Sequence, residues 1–187
     1  MEETTGDYDI MGIDPGLRGA AALLRRGWNR HGRFSYTFLD MADLETVEIE
    51  NRSHRQLDTR HLRRLIERWD PDIVVLEDVQ PPVRGNKFGG PDEQRMSNMS
   101  ASDAFRFGRT CGIIYGIVCA YEIEPVMVNP RSWKHHFGLK GSDKKPHVAC
   151  IKQLAPSCAP FITLAKHDGR ADAGLMALWH AQKTGFV

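Results

Sequence analysis

The sequence predicts an α/β fold, a mixed five-stranded sheet flanked by helices, and three features of its patterning lead there. Three apolar or alternating segments at the start, separated by turn residues, read as an antiparallel meander. An amphipathic helical stripe then precedes a short, nearly all-apolar run, the pattern of a parallel strand covered on both faces. Helical patterns surround one further short strand in the second half of the chain.

Residues 8–13 form the first strand, and Asp14-Pro15-Gly16 turns it back into a second over residues 19–24. Residues 34–40 alternate Phe34, Tyr36 and Phe38 with smaller or polar partners and make the third. In residues 59–69, Leu62, Leu65, Ile66 and Trp69 lie on one helical face with arginines opposite, and Pro71 ends the helix. The run Asp72-Ile73-Val74-Val75-Leu76-Glu77 is the parallel strand. Residues 81–101 turn to Pro, Gly, Asn, Ser and Met without an apolar period, a long loop of the kind that is functional or disordered. A helix over 102–121 carries Gly108, Gly112 and Gly116, small residues expected to pack closely. Residues 125–128 are the last strand, 144–154 a basic helix and 171–183 a terminal helix with Leu175, Leu178 and Trp179 apolar. This order resembles the ribonuclease H-like layout, in a single domain spanning 1–187 with a flexible tail at about 1–7. A chain of 187 residues is long enough to bury about 70% of its unfolded surface in one core.

Three acidic sites stand out. An Asp at the end of the apolar strand Ile10-Met11-Gly12-Ile13 lies where an unpaired charge is costly, so something cationic compensates Asp14, unless it only opens the Asp-Pro-Gly turn. Glu77 ends its strand in the same way. In His167-Asp168-Gly169-Arg170-Ala171-Asp172, residues 168 and 172 lie about 40° apart around a helix and about 6 Å along it, so both carboxylates can face one point. Helix capping would explain Asp168 well and Asp172 poorly, because Ala173 and Leu175 mark a helix packed on the sheet. Carboxylates at strand ends and a helix start are hard oxygen ligands for magnesium. Two such ions about 4 Å apart activate a water and stabilise the leaving oxygen in phosphodiester cleavage.

Composition narrows the partners. No apolar run approaches 18 residues, so no membrane span is expected, and an acidic, polar start argues against a secretory signal. Cys111, Cys119, Cys150 and Cys158 form no C-x-x-C pair, which speaks against a zinc site and for a reducing compartment. The net charge of +1 hides an uneven distribution: residues 40–50 hold five acids and no Lys or Arg, whereas 52–68 hold six arginines against Asp58 and Glu67. Residues 131–152 carry six Lys or Arg plus His135, His136 and His147, opposed only by Asp143. Such patches fit a polyanion as well as an ordinary solvated face.

Four segments carry a family resemblance. Ile13-Asp14-Pro15-Gly16, Leu76-Glu77-Asp78-Val79, Ser132-Trp133-Lys134-His135-His136-Phe137 and His167 to Leu175 resemble, in order, motifs of the RuvC family of Holliday-junction resolvases, in its phage and chloroplast branch. The likeness covers roughly residues 9–181. It implies a Mg²⁺-dependent endonuclease, with Mn²⁺ as substitute and two ions per site, that cuts four-way DNA junctions as a homodimer without a small-molecule cofactor. It also implies a cytoplasmic setting in a bacterial or phage-infected cell, an organellar origin remaining open. Asp14, Glu77 and Asp172 match the family's acids. The bacterial D-x-x-D ending departs here, since Gly169 stands three before Asp172, leaving Asp168 or His167 as the fourth group. Asp168 is preferred because an oxygen suits magnesium better than imidazole; His167 would otherwise hold the water or the leaving group.

Lys134 is the candidate for the scissile phosphate, or else a solvated lysine at a helix start. Lys144 and Lys145 are expected to grip flanking phosphates, with Lys140, Arg84 and Lys87 as further backbone contacts. Phe88 either stacks on an opened base or packs its own loop. Competing classes are a broader branched-DNA nuclease of phage genome processing, a non-catalytic junction-binding protein, and an actin-like transferase or kinase, for whose two lobes the chain is too short. The helix at 102–121 either pairs two copies or packs internally.

Overall fold

The structure, a computed structural model, describes residues 7–16, 18–50, 55–78, 100–140, 144–164 and 166–184. Arg84, Lys87 and Phe88, with most of the expected long loop and residues 1–6 of the expected tail, lie outside the described residues.

Strands β1 (Tyr8–Asp14), β2 (Ala20–Trp28) and β3 (Phe34–Asp43) form the antiparallel meander. A small hairpin, β4 (Thr46–Glu48) with β5 (Arg55–Leu57), follows, then α1 (Thr59–Trp69) and β6 (Ile73–Glu77). Next come α2 (Ala101–Ala120), β7 (Val126–Val128), α3 (Pro130–His136), α4 (Lys145–Leu154), a 3₁₀ turn over Pro156–Phe161, and α5 (Asp168–Lys183). The main sheet runs β3-β2-β1-β6-β7, with β6 and β7 parallel to β1: the expected mixed five-stranded sheet.

Period-two alternation divides the core. Ile10, Ala22, Leu24, Phe38, Val75 and Val128 pack with α5, α4 and Trp133 of α3 on one face, while Met11, Ile13, Leu23, Val74 and Leu76 meet α1 and α2 on the other. The helix stripe Leu62, Leu65, Ile66 and Trp69 is buried as its spacing requires. Asp58 caps α1 by accepting from the amides of Arg60 and His61. Sheet and α5 approach closely at Gly12, where a Cβ would overlap the carbonyl oxygen of Ala173.

Several boundaries differ from the sequence pattern, each for a local reason. β2 runs on to Trp28 because its arginines find partners: Arg25 donates to both carboxylate oxygens of Asp9, at 2.8 and 2.7 Å, and Arg26 lies against the rings of Tyr8 and Phe34. α3 is an unexpected helix, opened by Asn129, which accepts from the amide of Arg131, with Pro130 in its first turn. α5 begins at Asp168 rather than residue 171, with His167 at its N-cap position but making no side-chain capping bond.

The expectation of tight packing at Gly108, Gly112 and Gly116 is corrected. Among the described residues, nothing outside the helix backbone lies within 4 Å of a Cβ placed at any of them. The buried residues of α2 are Thr110, Ile114 and Val118, two positions further on, hence about 200° around the helix. The glycine stripe faces outward. Among the described residues, no helix is long and apolar enough to cross a membrane.

The contact of β1 with α5 predicts a sharp cost for one methyl group. Gly12→Ala should lower the unfolding free energy by about 3 kcal/mol in urea titrations, since backbone on both sides leaves no room to relax. A loss within error would mean that α5 does not lie against β1 as described.

Candidate active site

The same alternation sets the site. Asp14 continues the series Ile10, Gly12 along β1, and Glu77 continues Val75 along β6, so both acids emerge on the α5 face. β1 and β6 are parallel, with Ile13 paired to Leu76, which makes Asp14 and Glu77 neighbours at adjoining strand ends. Asp172 lies one turn into α5 and is 4% exposed. The strands and helix together bring three carboxylates to one end of the sheet.

Their electrostatics record the crowding. Burial, reinforced by the charges of Glu77 and Asp172, pushes the Asp14 carboxyl from 3.8 up to about 7. Burial also raises Glu77 above the ordinary carboxylate range, against the lowering effect of Lys134 and of the indole N–H of Trp133, which donates to Glu77 Oε1 at 3.2 Å. Asp172 moves the other way: burial would raise it, but a hydrogen bond from His147 Nδ1 at 2.6 Å and the ammonium of Lys144 hold it below its usual value. Lys144 loses hydration by burial, yet its pairing with Asp172 and the nearby Asp14 and Glu77 keep its ammonium above the ordinary lysine value.

The sequence candidates divide accordingly. Asp14, Glu77 and Asp172 come together, with Lys134 close enough to act on Glu77 and 5.5 Å from the centre of the Trp133 ring. Lys144 is displaced from its expected place: it reaches inward to Asp172 instead of outward to a flanking phosphate. Lys140 and Lys145 are exposed. His167 turns elsewhere, accepting from the Leu164 amide at 3.4 Å and lying under the influence of Arg170 and Asp43. Asp168, half-exposed in the first turn of α5, makes no hydrogen bond or ion pair among the described residues. It is position 169 that faces the acids: a Cβ there would stand 3.5 Å from Asp14 Oδ2, but also 2.7 Å from the Arg18 carbonyl oxygen. Contact with the β1–β2 turn therefore keeps the position a glycine and leaves no fourth acid there.

The sequence pattern does not single out His147, the indole of Trp133 as a donor, or Cys111. His147 sits four residues before Ile151 on α4 and both are buried, a spacing that marks an inward face where composition suggests only a basic patch. Burial, with Glu77 and Asp14 adding to it, raises the Cys111 thiol of α2 to about 11.

As a donor set the cluster suits a hard divalent cation: three carboxylates faced by the two ammoniums of Lys144 and Lys134 leave carboxylate in excess of cation where water screens it poorly. Both oxygens of Asp172 are engaged, by His147 and by Lys144, and among the described residues no three His, Cys, Asp or Glu side chains stand ready around one point as metal ligands.

No protein-family model and no curated protein sequence matches the chain. Solved structures do. Thermus thermophilus RuvC in complex with a Holliday junction substrate is similar with a TM-score of 0.60 and 16% identity, covering 95% of this chain and 95% of that one. A further structure of Thermus thermophilus RuvC has a TM-score of 0.59 and 15% identity, over 95% and 96% of the two chains. The fold is RuvC-like.

A carboxyl held at about 7 in the folded state costs no stability below its ordinary value and its full cost above 7. In chelator, wild type should therefore fall behind Asp14→Asn as pH rises from about 4 to 8, by on the order of 2 kcal/mol after allowing for partial solvent access. Thermal melts read this as a Tm gap that opens with pH. A gap constant across the range would refute the raised Asp14 value.

Proposed function

We propose that this protein is a single-domain, divalent-metal-dependent endonuclease that cuts four-way DNA junctions as a homodimer, in the manner of the phage and chloroplast branch of RuvC-like resolvases. The observation that carries the proposal is the convergence of Asp14, Glu77 and Asp172 at one sheet end of a RuvC-like fold, with more buried carboxylate than cation. One of the two similar RuvC structures was solved with a Holliday junction substrate, which supports DNA of that shape as the ligand.

Asp14, Glu77 and Asp172 would hold the metal, with Asp168 at the margin as a fourth oxygen donor. When bound, Mg²⁺ or Mn²⁺ supplies Lewis-acid activation of a water and stabilises charge on the leaving oxygen. The protein's own groups orient and neutralise. Glu77 is aimed by Trp133, Asp172 by His147, and Lys144 keeps one positive charge among the acids. Lys134, beside Glu77, is placed to meet the charge developing on the scissile phosphate. Lys140 and Lys145 hold the flanking backbone without reading sequence.

A four-way junction has two equivalent strands related by a twofold axis, and one set of acids cuts one of them. The outward glycine stripe of α2 suits close approach of a second copy, flanked by Phe105, 73% exposed, and Tyr115, 38% exposed.

A labelled four-way junction and its linear duplex, incubated with and without Mg²⁺, test the activity. Cleavage should be confined to the junction with metal, and Asp14→Asn, Glu77→Gln and Asp172→Asn should each lose at least 10³-fold in rate while still binding the junction. Equal cutting of the duplex would indicate a broader nuclease, and binding without cutting a junction-binding protein.

The dimer has its own test. Light scattering at micromolar concentration should give about twice 21.1 kDa, and Gly112→Leu, which blocks the stripe, should halve the mass and turn cruciform plasmid cleavage from linear product to nicked circle. A wild-type monomer, free and on the junction, would refute paired incision.

A further inference from the structure

We infer that Trp133 and His147 act as a coupled pair of positioning residues that set the two carboxylates Glu77 and Asp172 for a divalent cation. The inference rests on the metal site proposed above and assigns what aims it. Both side chains are almost fully out of solvent, Trp133 at 0% and His147 at 1% exposure. Each spends its single well-placed donor on one acid: the indole N–H on Glu77 Oε1 at 3.2 Å, imidazole Nδ1 on Asp172 Oδ1 at 2.6 Å. The rings meet edge to face, their centroids 5.6 Å apart and their planes at 84°, so neither acid's support can tilt without displacing the other's.

The cost of the arrangement argues that it does more than fill space. With Nδ1 donating to Asp172, the other imidazole nitrogen, Nε2, is buried without a hydrogen-bond partner among the described residues. An orphaned buried polar atom weakens a fold, and an apolar side chain would pack the same site without that loss. Charge compensation does not require the histidine either, since Lys144 already pairs with Asp172. What the imidazole adds is direction: it holds one carboxylate oxygen, which fixes the rotamer and so the bearing of the other. The two donors come from α3 and α4, short helices that flank the sheet end where the acids emerge.

The test measures Mn²⁺ binding to the full chain without DNA, by isothermal titration and water-proton relaxation. His147→Leu should weaken Mn²⁺ binding 10–100-fold, the range typical of lost outer hydrogen bonds, and Trp133→Phe, which keeps a ring but loses the N–H, about 10-fold. His147→Asn, whose amide N–H reaches the place of Nδ1, should recover most of the affinity although it packs less well than leucine. That recovery separates positioning from mere filling of the core. His147→Leu with Mn²⁺ affinity within twofold of wild type, or His147→Asn no better than His147→Leu, would overturn the inference. If His147→Leu fails to fold, the comparison of Trp133→Phe and His147→Asn with wild type decides in the same way. A wild type that binds no Mn²⁺ at millimolar concentration would remove the metal site itself and the inference with it, whereas wild-type binding with unaffected variants would remove only the inference.

Discussion

The structure depends on concentrating three carboxylates in one poorly solvated place. Asp14, Glu77 and Asp172 raise one another's charging cost, and at Asp14 burial and two neighbouring anions act together. A fold gains nothing from such crowding in itself, because buried like charges oppose folding. The remaining features of this sheet end limit that cost. Lys144 brings one cation inward, Trp133 and His147 supply neutral donors, and the Gly16 amide donates to Asp14 Oδ1 at 3.3 Å.

Parallel pairing of β1 with β6 is what makes the crowding possible. Two strands running the same way end at the same edge, and with Ile13 beside Leu76 their next residues are the two acids. Alternation then turns both toward α5, and the absence of a side chain at Gly12 lets that helix sit close enough for Asp172 to join them. The β1–β2 turn presses on the start of α5 at Gly169, so the helix is located from two sides. Arg170 adds a tether, donating to Asp43 at the end of β3 at 2.6 Å and to the Phe161 carbonyl at 2.8 Å.

The two sides of the sheet serve different ends. The face carrying α3, α4 and α5 is densely apolar and holds the polar network that aims the acids. The face carrying α1 and α2 packs only one side of α2, leaving its glycine stripe open and its Cys111 near the acids. A helix with one packed and one bare face has surface to share with another molecule.

Sequence by itself determined the five main strands and the helices α1, α2, α4 and α5, and it marked Asp14 and Glu77, because period-two and 3.6-residue patterns are local and an acid closing an apolar strand is conspicuous. Cross-strand partners were less legible: Arg25 and Arg26 look like the end of β2 until Asp9, Tyr8 and Phe34 are seen beside them. The lysines were legible only as a patch, and only the tertiary structure decided that Lys144 turns inward to Asp172. It also decided that the glycines of α2 face outward and that His147 reaches Asp172, 25 residues away in the chain. Which face of a helix is buried, and which donor meets which acid, depend on how separate elements pack, and no spacing within one element carries that information.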